Sequence, residues 1–351
     1  MRLRNYLLAG CLSVCALAAH AETVKNLYQV RETVGGQTPE ERDAATQRAL
    51  ETLVLRLTGD PKAFNASGLA AVRKDPQQII SQYGYEAGPP ESLRVDFDPA
   101  STDTLLRQAG LPTWGNNRPS VLAWWLNEGS DGANLVGDGQ PTAEPLRRAA
   151  SHRGLPLRLP LADLGEQTLG TAKTLDGSDA TPLRAASERY GADGLLAVHA
   201  KQEGGKWTAQ WHLYLGDRPE QGKAEGDDPA ALADAVLLAV SQRLAPRYVV
   251  KSGGGGAATD STLQVEGMTL EHYAALGRLL EPFNAKLKSV DGDKVVYQVN
   301  GSSDQLRAQL ALGKLSEMPP EAAPVVATQP LAPGAAPAPA PQPASGLRFH
   351  W

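Results

Sequence analysis

Two histidines, His199 and His212, have the clearest potential for chemistry, because both fall in a run that reads as paired strands. Residues 191–203 and 206–215 alternate in polarity about Gly204-Gly205. A Gly-Gly pair favours the positive-φ turn that joins twisted antiparallel strands. The register sets Glu203 against Lys206 and places His199 and His212 as diagonal neighbours on the more polar face. Half of a metal site begins this way, but zinc takes about three or four ligands. No third lies nearby, so the pair reads as half-exposed strand histidines and no metal is assigned. Asp96 and Asp98 invite a paired-carboxylate reading. Asp98 ahead of Pro99 is more simply a helix cap, and Asp96 a solvent-facing strand residue. Asp131, Asn134 and Asp138 lie in a Gly-rich loop without the spacing of a helix–loop–helix calcium site. Gly253–Gly256 lacks the Gly-Lys-Ser/Thr ending of a phosphate loop and reads as a linker.

Nucleophiles are equally sparse. The two cysteines, Cys11 and Cys15, both lie in the first 21 residues. There is no His-Glu-x-x-His and no Gly-x-Ser-x-Gly. The expectation is a non-enzymatic protein with no catalytic, cofactor-binding or metal-binding residue. A carboxylate-dependent hydrolase and a small-ligand-binding protein, with its ligand between the first two domains, are the alternatives. Recognition potential is concentrated in aromatic residues. Trp124 and Trp125 are adjacent on a strand and must point to opposite faces, so one near the surface could anchor a partner. Leu347, Phe349 and Trp351 alternate at the C-terminus. Such an end could add as a strand to another protein's sheet edge, or offer its carboxylate to a groove.

The address is read from the N-terminus. Arg2 and Arg4, an apolar core from Leu7 to Ala18, and Ala19-His20-Ala21 compose a secretory signal cleaved before Glu22. Leu8-Ala9-Gly10-Cys11 spells a lipoprotein box, but it sits too close to Arg4 to leave a full apolar core. The expected location is the periplasm. Without the signal, 32 basic residues face 39 acidic ones, a net charge of −7. That balance argues against nucleic acid or anionic lipid as a main partner. No later apolar run is long enough to span a bilayer. The expected partners are envelope proteins.

The expected fold class is α/β (α+β), with two or three small mixed-sheet domains and covering helices. Residues 1–21 are the signal, and 22–115 a first domain. Its helix starts at Thr38-Pro39 with a stripe of Ala45, Ala49, Leu50, Leu53, Val54 and Leu57. Residues 118–250 are a middle domain around the hairpin, with a strand over 119–126 and helices over 142–153 and 229–244. Residues 251–260 are a flexible joint, 261–316 a β-α-β-β-α module, and 317–351 a disordered Pro/Ala-rich tail.

Several of these stretches carry a resemblance. The strand–helix unit from Glu32 to Leu57 with Arg48-Ala-Leu50, Arg118-Pro-Ser-Val-Leu-Ala-Trp-Trp125, Arg153-Gly-Leu-Pro-Leu157 and Tyr190-Gly-Ala-Asp-Gly194 follow a signal peptide. Together they are similar to domain of unknown function 2066, a family of secreted proteins of Gram-negative proteobacteria, over most of Glu22 to Leu315. That family implies a location and no activity. At the level of fold, the helix ending in Tyr-Gly-Ala-Asp before an apolar strand resembles the amino-terminal domain of the Tol-system propeller protein. It also resembles domains of the curli secretion lipoprotein, of lipoprotein activators of penicillin-binding proteins, and of a flagellar assembly protein. Such likeness implies binding or assembly and does not fix function.

Overall fold

The structure is a computed structural model that describes residues 22–24, 26–88, 90–215, 219–250, 260–319 and 346–351. The signal segment with Cys11 and Cys15, the glycines of the joint and residues 320–345 of the tail lie outside the described residues. The expected mixed α/β class is what the chain adopts: three helix-covered sheets follow one another in sequence.

The first unit contains β1 (Glu22–Thr23), β2 (Gln29–Thr33), α1 (Pro39–Thr58), α2 (Ala70–Lys74), β3 (Ile80–Glu86), β4 (Ser92–Phe97) and α3 (Pro99–Gln108). Residues 22–34 read in sequence as one strand, but Asn26, at φ +61, turns the chain and separates β1 from β2. Helix α1 begins where Thr38 Oγ1 accepts from the Glu41 N–H and stops at Gly59 in the left-handed region. Its anticipated apolar stripe is buried against a sheet of order β2-β4-β3. Pro61 to Ser81 reads as a second helical stretch with a break at Asp75-Pro76; the break is present, with α2 ending at Lys74, but a continuous helix is not. Three 3-10 turns and the five residues of α2 take its place before β3.

The second unit contains β5 (Asn117–Arg118), β6 (Val121–Gly129), β7 (Gly132–Leu135), α4 (Glu144–Arg153), β8 (Leu157–Arg158), α5 (Leu164–Leu169), α6 (Ala172–Leu175), α7 (Thr181–Ser187), β9 (Gly194–Glu203), β10 (Lys206–Tyr214), β11 (Glu220–Gly226) and α8 (Pro229–Tyr248). Its sheet has the order β11-β10-β9-β6-β7, with β8 also on β6. The hairpin register is the one the sequence sets, Glu203 opposite Lys206 and Trp211 opposite Val198. Gly204 and Gly205 take φ +58 and +83 at its turn. Val121, Ala123 and Trp125 face α4 and α8, whereas Leu122, Trp124 and Leu126 face Leu175 and Leu183. The second face is therefore covered as well, contrary to its polar pattern, and His199, His212 and Tyr214 are buried in it. Strand β11 escapes a sequence reading because it alternates charge with glycine. Gly222 is needed there, since a Cβ would fall 2.3 Å from the Trp211 ring. Helix α8 runs past the 244 read as its end and two residues beyond Pro246, a residue that ordinarily ends a helix.

The third unit contains β12 (Asp260–Glu266), α9 (Leu270–Leu280), β13 (Lys286–Asp291), β14 (Lys294–Asn300), α10 (Ser303–Leu312), β15 (Ser316–Glu317) and β16 (Gly346–His350), in the order β13-β14-β12-β16-β15. Thr269 caps α9, and Ser302 with Gln305 forms a reciprocal capping box on α10. Both ends of the 317–351 stretch, expected to be disordered, are sheet strands.

The units are pinned to one another. β1 pairs with β5, Thr113 bridges Val250, and Leu312 of α10 enters the core of the second unit. At the first junction Arg118 is fully buried, and its donors reach the carbonyls of Arg56, Trp114, Gly115, Arg153 and Gly154 at 2.7–3.2 Å. Gly154 has φ +62, and a Cβ there would sit 2.8 Å from both Arg118 Nη1 and Arg56 Cγ. Gly110 has φ +67 and open space around it. Gly110→Ala is expected to cost about 1 kcal/mol, the backbone penalty alone. Gly154→Ala should cost about 2–4 kcal/mol because strain and overlap add. Chemical denaturation of the two variants checks the contrast.

Candidate functional sites

The C-terminal strand is held in the manner of a bound peptide. β16 lies between β12 and β15, parallel to the first and antiparallel to the second. Its alternation decides its orientation. Leu347 and Phe349 are 9 % and 2 % exposed and join the core built by Leu263, Val265, Leu276, Leu280 and Phe283. Trp351 continues on that side and stacks on His272 of α9, with ring centroids 4.5 Å apart. The Trp351 N–H donates to the Glu266 carbonyl at 3.1 Å, and Met318 N–H donates to the Arg348 carbonyl at 2.8 Å. On the open face Arg348 Nη2 meets Glu266 Oε1 at 3.0 Å. Hydrogen bonds from Arg348 and then Gln264 hold the Glu266 carboxyl below its usual range.

This placement corrects the expectation for Leu347, Phe349 and Trp351. They add to a sheet edge as their pattern suggests, but the edge is β12 of the same chain. Trp124 and Trp125 are also relocated. They are 0 % and 1 % exposed, in separate cores on the two faces of β6, so neither offers a surface anchor. Trp124 Nε1 donates to Ser187 Oγ at 3.0 Å, and Trp125 Nε1 to Asn127 Oδ1 at 2.8 Å. Both indoles are thereby satisfied, as burial requires.

A cleft of about 520 Å³ opens where the first and third units meet the connecting residues 113–117. Tyr28, Asp103 and Arg107 line one side, and Arg278, Glu281 and Asn284 the other. Tyr28 Oη donates to Asp103 Oδ1 at 2.7 Å. Burial, then this hydrogen bond, raises the Tyr28 hydroxyl well above the usual phenol range, and burial also raises the Asp103 carboxyl. Trp114 lines the inner wall, stacked on Tyr248 and covered by the Arg118 guanidinium. Its indole N–H has no partner among the described residues. A larger hollow, about 710 Å³, lies beside the β6–β7 hairpin and Trp207.

The two histidines do not converge. His199 Nδ1 contacts Asp176 Oδ2 and Nε2 contacts Glu128 Oε2, both at 2.7 Å. His212 Nδ1 instead meets the Leu175 carbonyl at 3.1 Å. Both ring nitrogens of His199 are engaged by carboxylates. Among the described residues no group of three or more His, Cys, Asp or Glu could hold a metal ion. Asp98 caps α3 through the Ser101 N–H, and Asp96 is bound by Gln29, Gln82 and Arg94. Asp138 pairs with Arg147. Sequence pattern gave no sign of the Asp176–His199–Glu128 arrangement or of the cleft, because their members come from distant segments.

Comparison with known proteins places one part of the chain. Residues 21–115 match the model of a domain of unknown function (DUF8605). The matching stretch is the first unit with its approach to β5. This finding corrects the resemblance to domain of unknown function 2066 over Glu22 to Leu315. No curated protein and no solved structure matches the chain. The likeness to the Tol-system, curli, penicillin-binding-protein-activator and flagellar domains is accordingly set aside.

The cleft has a titration signature. Burial raises Tyr248 to about 12 and pushes Tyr28 upward as well. Each hydroxyl keeps its proton in the folded chain at a pH where the unfolded chain has lost it. Their contribution is therefore complete below pH about 10 and is lost as pH climbs through the folded values. The unfolding midpoint should fall steeply between pH 10 and 12. Tyr28→Phe and Tyr248→Phe should each flatten that slope in denaturation series across this range.

Proposed function

We propose that this is a non-enzymatic protein-binding and assembly protein of the cell envelope, which works by strand addition at its third sheet. One observation carries the reading. A short C-terminal strand, separated from its neighbour β15 by residues 320–345, is held between β12 and β15 by ladder bonds and two apolar anchors. Main-chain pairing supplies affinity in such an arrangement, and alternate side chains supply selectivity. A periplasmic location rests on the signal-like first 21 residues. No described helix is long and apolar enough to cross a membrane.

The unpartnered Trp114 N–H in the wall of the junction cleft favours a second role, capture of a small polar ligand there. Ligand binding would raise the melting temperature by mass action.

The test of strand addition uses the peptide Gly-Leu-Arg-Phe-His-Trp. A chain ending at residue 345 should bind it saturably by fluorescence anisotropy. Each apolar anchor contributes about 1.5–3 kcal/mol. Leu347→Asp or Phe349→Asp in the peptide should therefore weaken binding at least about tenfold. Because both anchors are core residues, a full chain cut at a protease site placed within 320–345 serves as a second format. It should retain the severed strand through size-exclusion chromatography. Immediate loss of the strand, with no rebinding of the peptide, would end this reading.

A further inference from the structure

We propose that the C-terminal strand is exchangeable between copies, so that residues 346–351 of one chain fill the slot between β12 and β15 of another. The inference rests on the strand-addition reading and adds the partner. Three observations lead to it.

The first is an excess of chain. β15 and β16 are antiparallel neighbours, with Glu317 opposite Phe349 and the Met318 N–H on the Arg348 carbonyl. Arg348 Nη1 also reaches the Pro319 carbonyl at 3.4 Å. Pro319 thus ends beside the start of β16, where a loop of about two to five residues would close the hairpin. The chain instead places 26 residues, 320–345, between the two points, and eight of them are proline. Any 26 residues can span at most about 3.3–3.6 Å each, roughly 90 Å in all. That reach exceeds anything needed for self-closure.

The second is the effect of that length on self-occupancy. The effective concentration of a tethered segment is highest when the tether matches the span. It then falls with roughly the −3/2 power of tether length. Against a four-residue hairpin, the 26-residue spacer lowers the local concentration of β16 at its own slot by about tenfold. A second chain competes on correspondingly better terms.

The third is complementarity. The slot is already shaped to residues 346–351, with core positions for Leu347 and Phe349, Glu266 for Arg348, and His272 for Trp351. A second copy presents the same strand, so every contact is reproduced across the pair. On the outer side, among the described residues, the strand is covered by a short segment, Ser316 and Glu317 paired with His350 and Phe349 and then Met318 and Pro319 bonded to Arg348.

The register supplies a reporter. Thr262 is paired with Gly346, and a Cβ at Gly346 would lie 3.6 Å from the Thr262 Cβ. That separation suits a disulfide. The experiment uses full chains carrying Cys11→Ser and Cys15→Ser. One chain also carries Thr262→Cys, and a second carries Gly346→Cys. Mixed under mild oxidation, they should form a disulfide-linked heterodimer whose yield rises with total concentration. Replacing 320–345 by a four-residue turn should lower that yield about tenfold. A chain with both cysteines should cross-link within itself at low concentration. That control separates the two claims. Cross-linking within the double-cysteine chain but never between the single-cysteine chains overturns exchange and leaves strand addition standing. Failure of both overturns strand addition itself. Labelling of Thr262→Cys by the free peptide Cys-Leu-Arg-Phe-His-Trp, with no heterodimer, would mean that foreign extended segments enter the slot. That too would overturn exchange between copies.

Discussion

A fully buried guanidinium, Arg118, with no carboxylate paired to it among the described residues is the constraint on which the architecture turns. Burying a charge is costly unless hydrogen bonds replace its hydration. Arg118 meets that demand with carbonyls alone, matching the five N–H groups of a guanidinium to five acceptors. Arg56 O lies in the last turn of α1, and Arg153 O and Gly154 O lie at the end of α4. These are helix C-termini, where the backbone presents its negative pole. Arg56 repeats the device on the other side of the junction, donating to the carbonyls of Leu27, Gln29 and His152. Burial, with repulsion between the two cations, lowers Arg118 to about 9. Burial lowers Arg56 to about 10. Lysine could not substitute, since an ammonium has three donors and no planar fork.

The same pin accounts for the cleft. Arg118 lies over the Trp114 ring, 4.2 Å from its centroid, and Trp114 stacks on Tyr248 of α8. The connector is therefore held rigidly from beneath, and its other side, with Asn116 and Asn117, faces the third unit. Asn117 Nδ2 donates to the Arg278 carbonyl at 2.8 Å, joining the connector to α9. Polar groups at the mouth and stacked rings behind them follow from fixing this short segment by its buried cation. The units are joined by specific hydrogen bonds, so they are less independent than Gly-rich and polar connectors suggest.

Much of the fold was legible where local chemistry and global packing agree. Thr38-Pro39, Asp98-Pro99 and Ser302 mark helix starts through caps that need only a few neighbouring residues. The Gly204-Gly205 turn fixes the hairpin register, because a one-residue slip would move Trp211 and Leu213 to the opposite face. Long-range placement was not legible. The polarity of His199 and His212 suggested a wet face, but their partners, Asp176, Glu128 and the Leu175 carbonyl, come from segments whose approach no periodicity encodes. Tyr273 reads as an inward residue of α9 with Leu276, Leu279 and Leu280, and is 42 % exposed whereas those three are buried. The alternation of Leu347, Phe349 and Trp351 reads as a strand that adds to another protein's sheet edge, and in the structure it lies on β12 of its own chain. It could not say to which sheet, since pattern records what a strand requires and not where it is met.

That last distinction bears on how firmly β16 is held. Ordering an extended segment costs about 1–2 kcal/mol per residue in backbone freedom. Against this stand two apolar anchors at about 1.5–3 kcal/mol each, ladder bonds at about 0.5–1.5 each, and one ring stack. The terms come within a few kcal/mol of cancelling, so the strand is held by a narrow margin. Leu347 and Phe349 thus complete a core whose hold on the strand is a small difference between large terms.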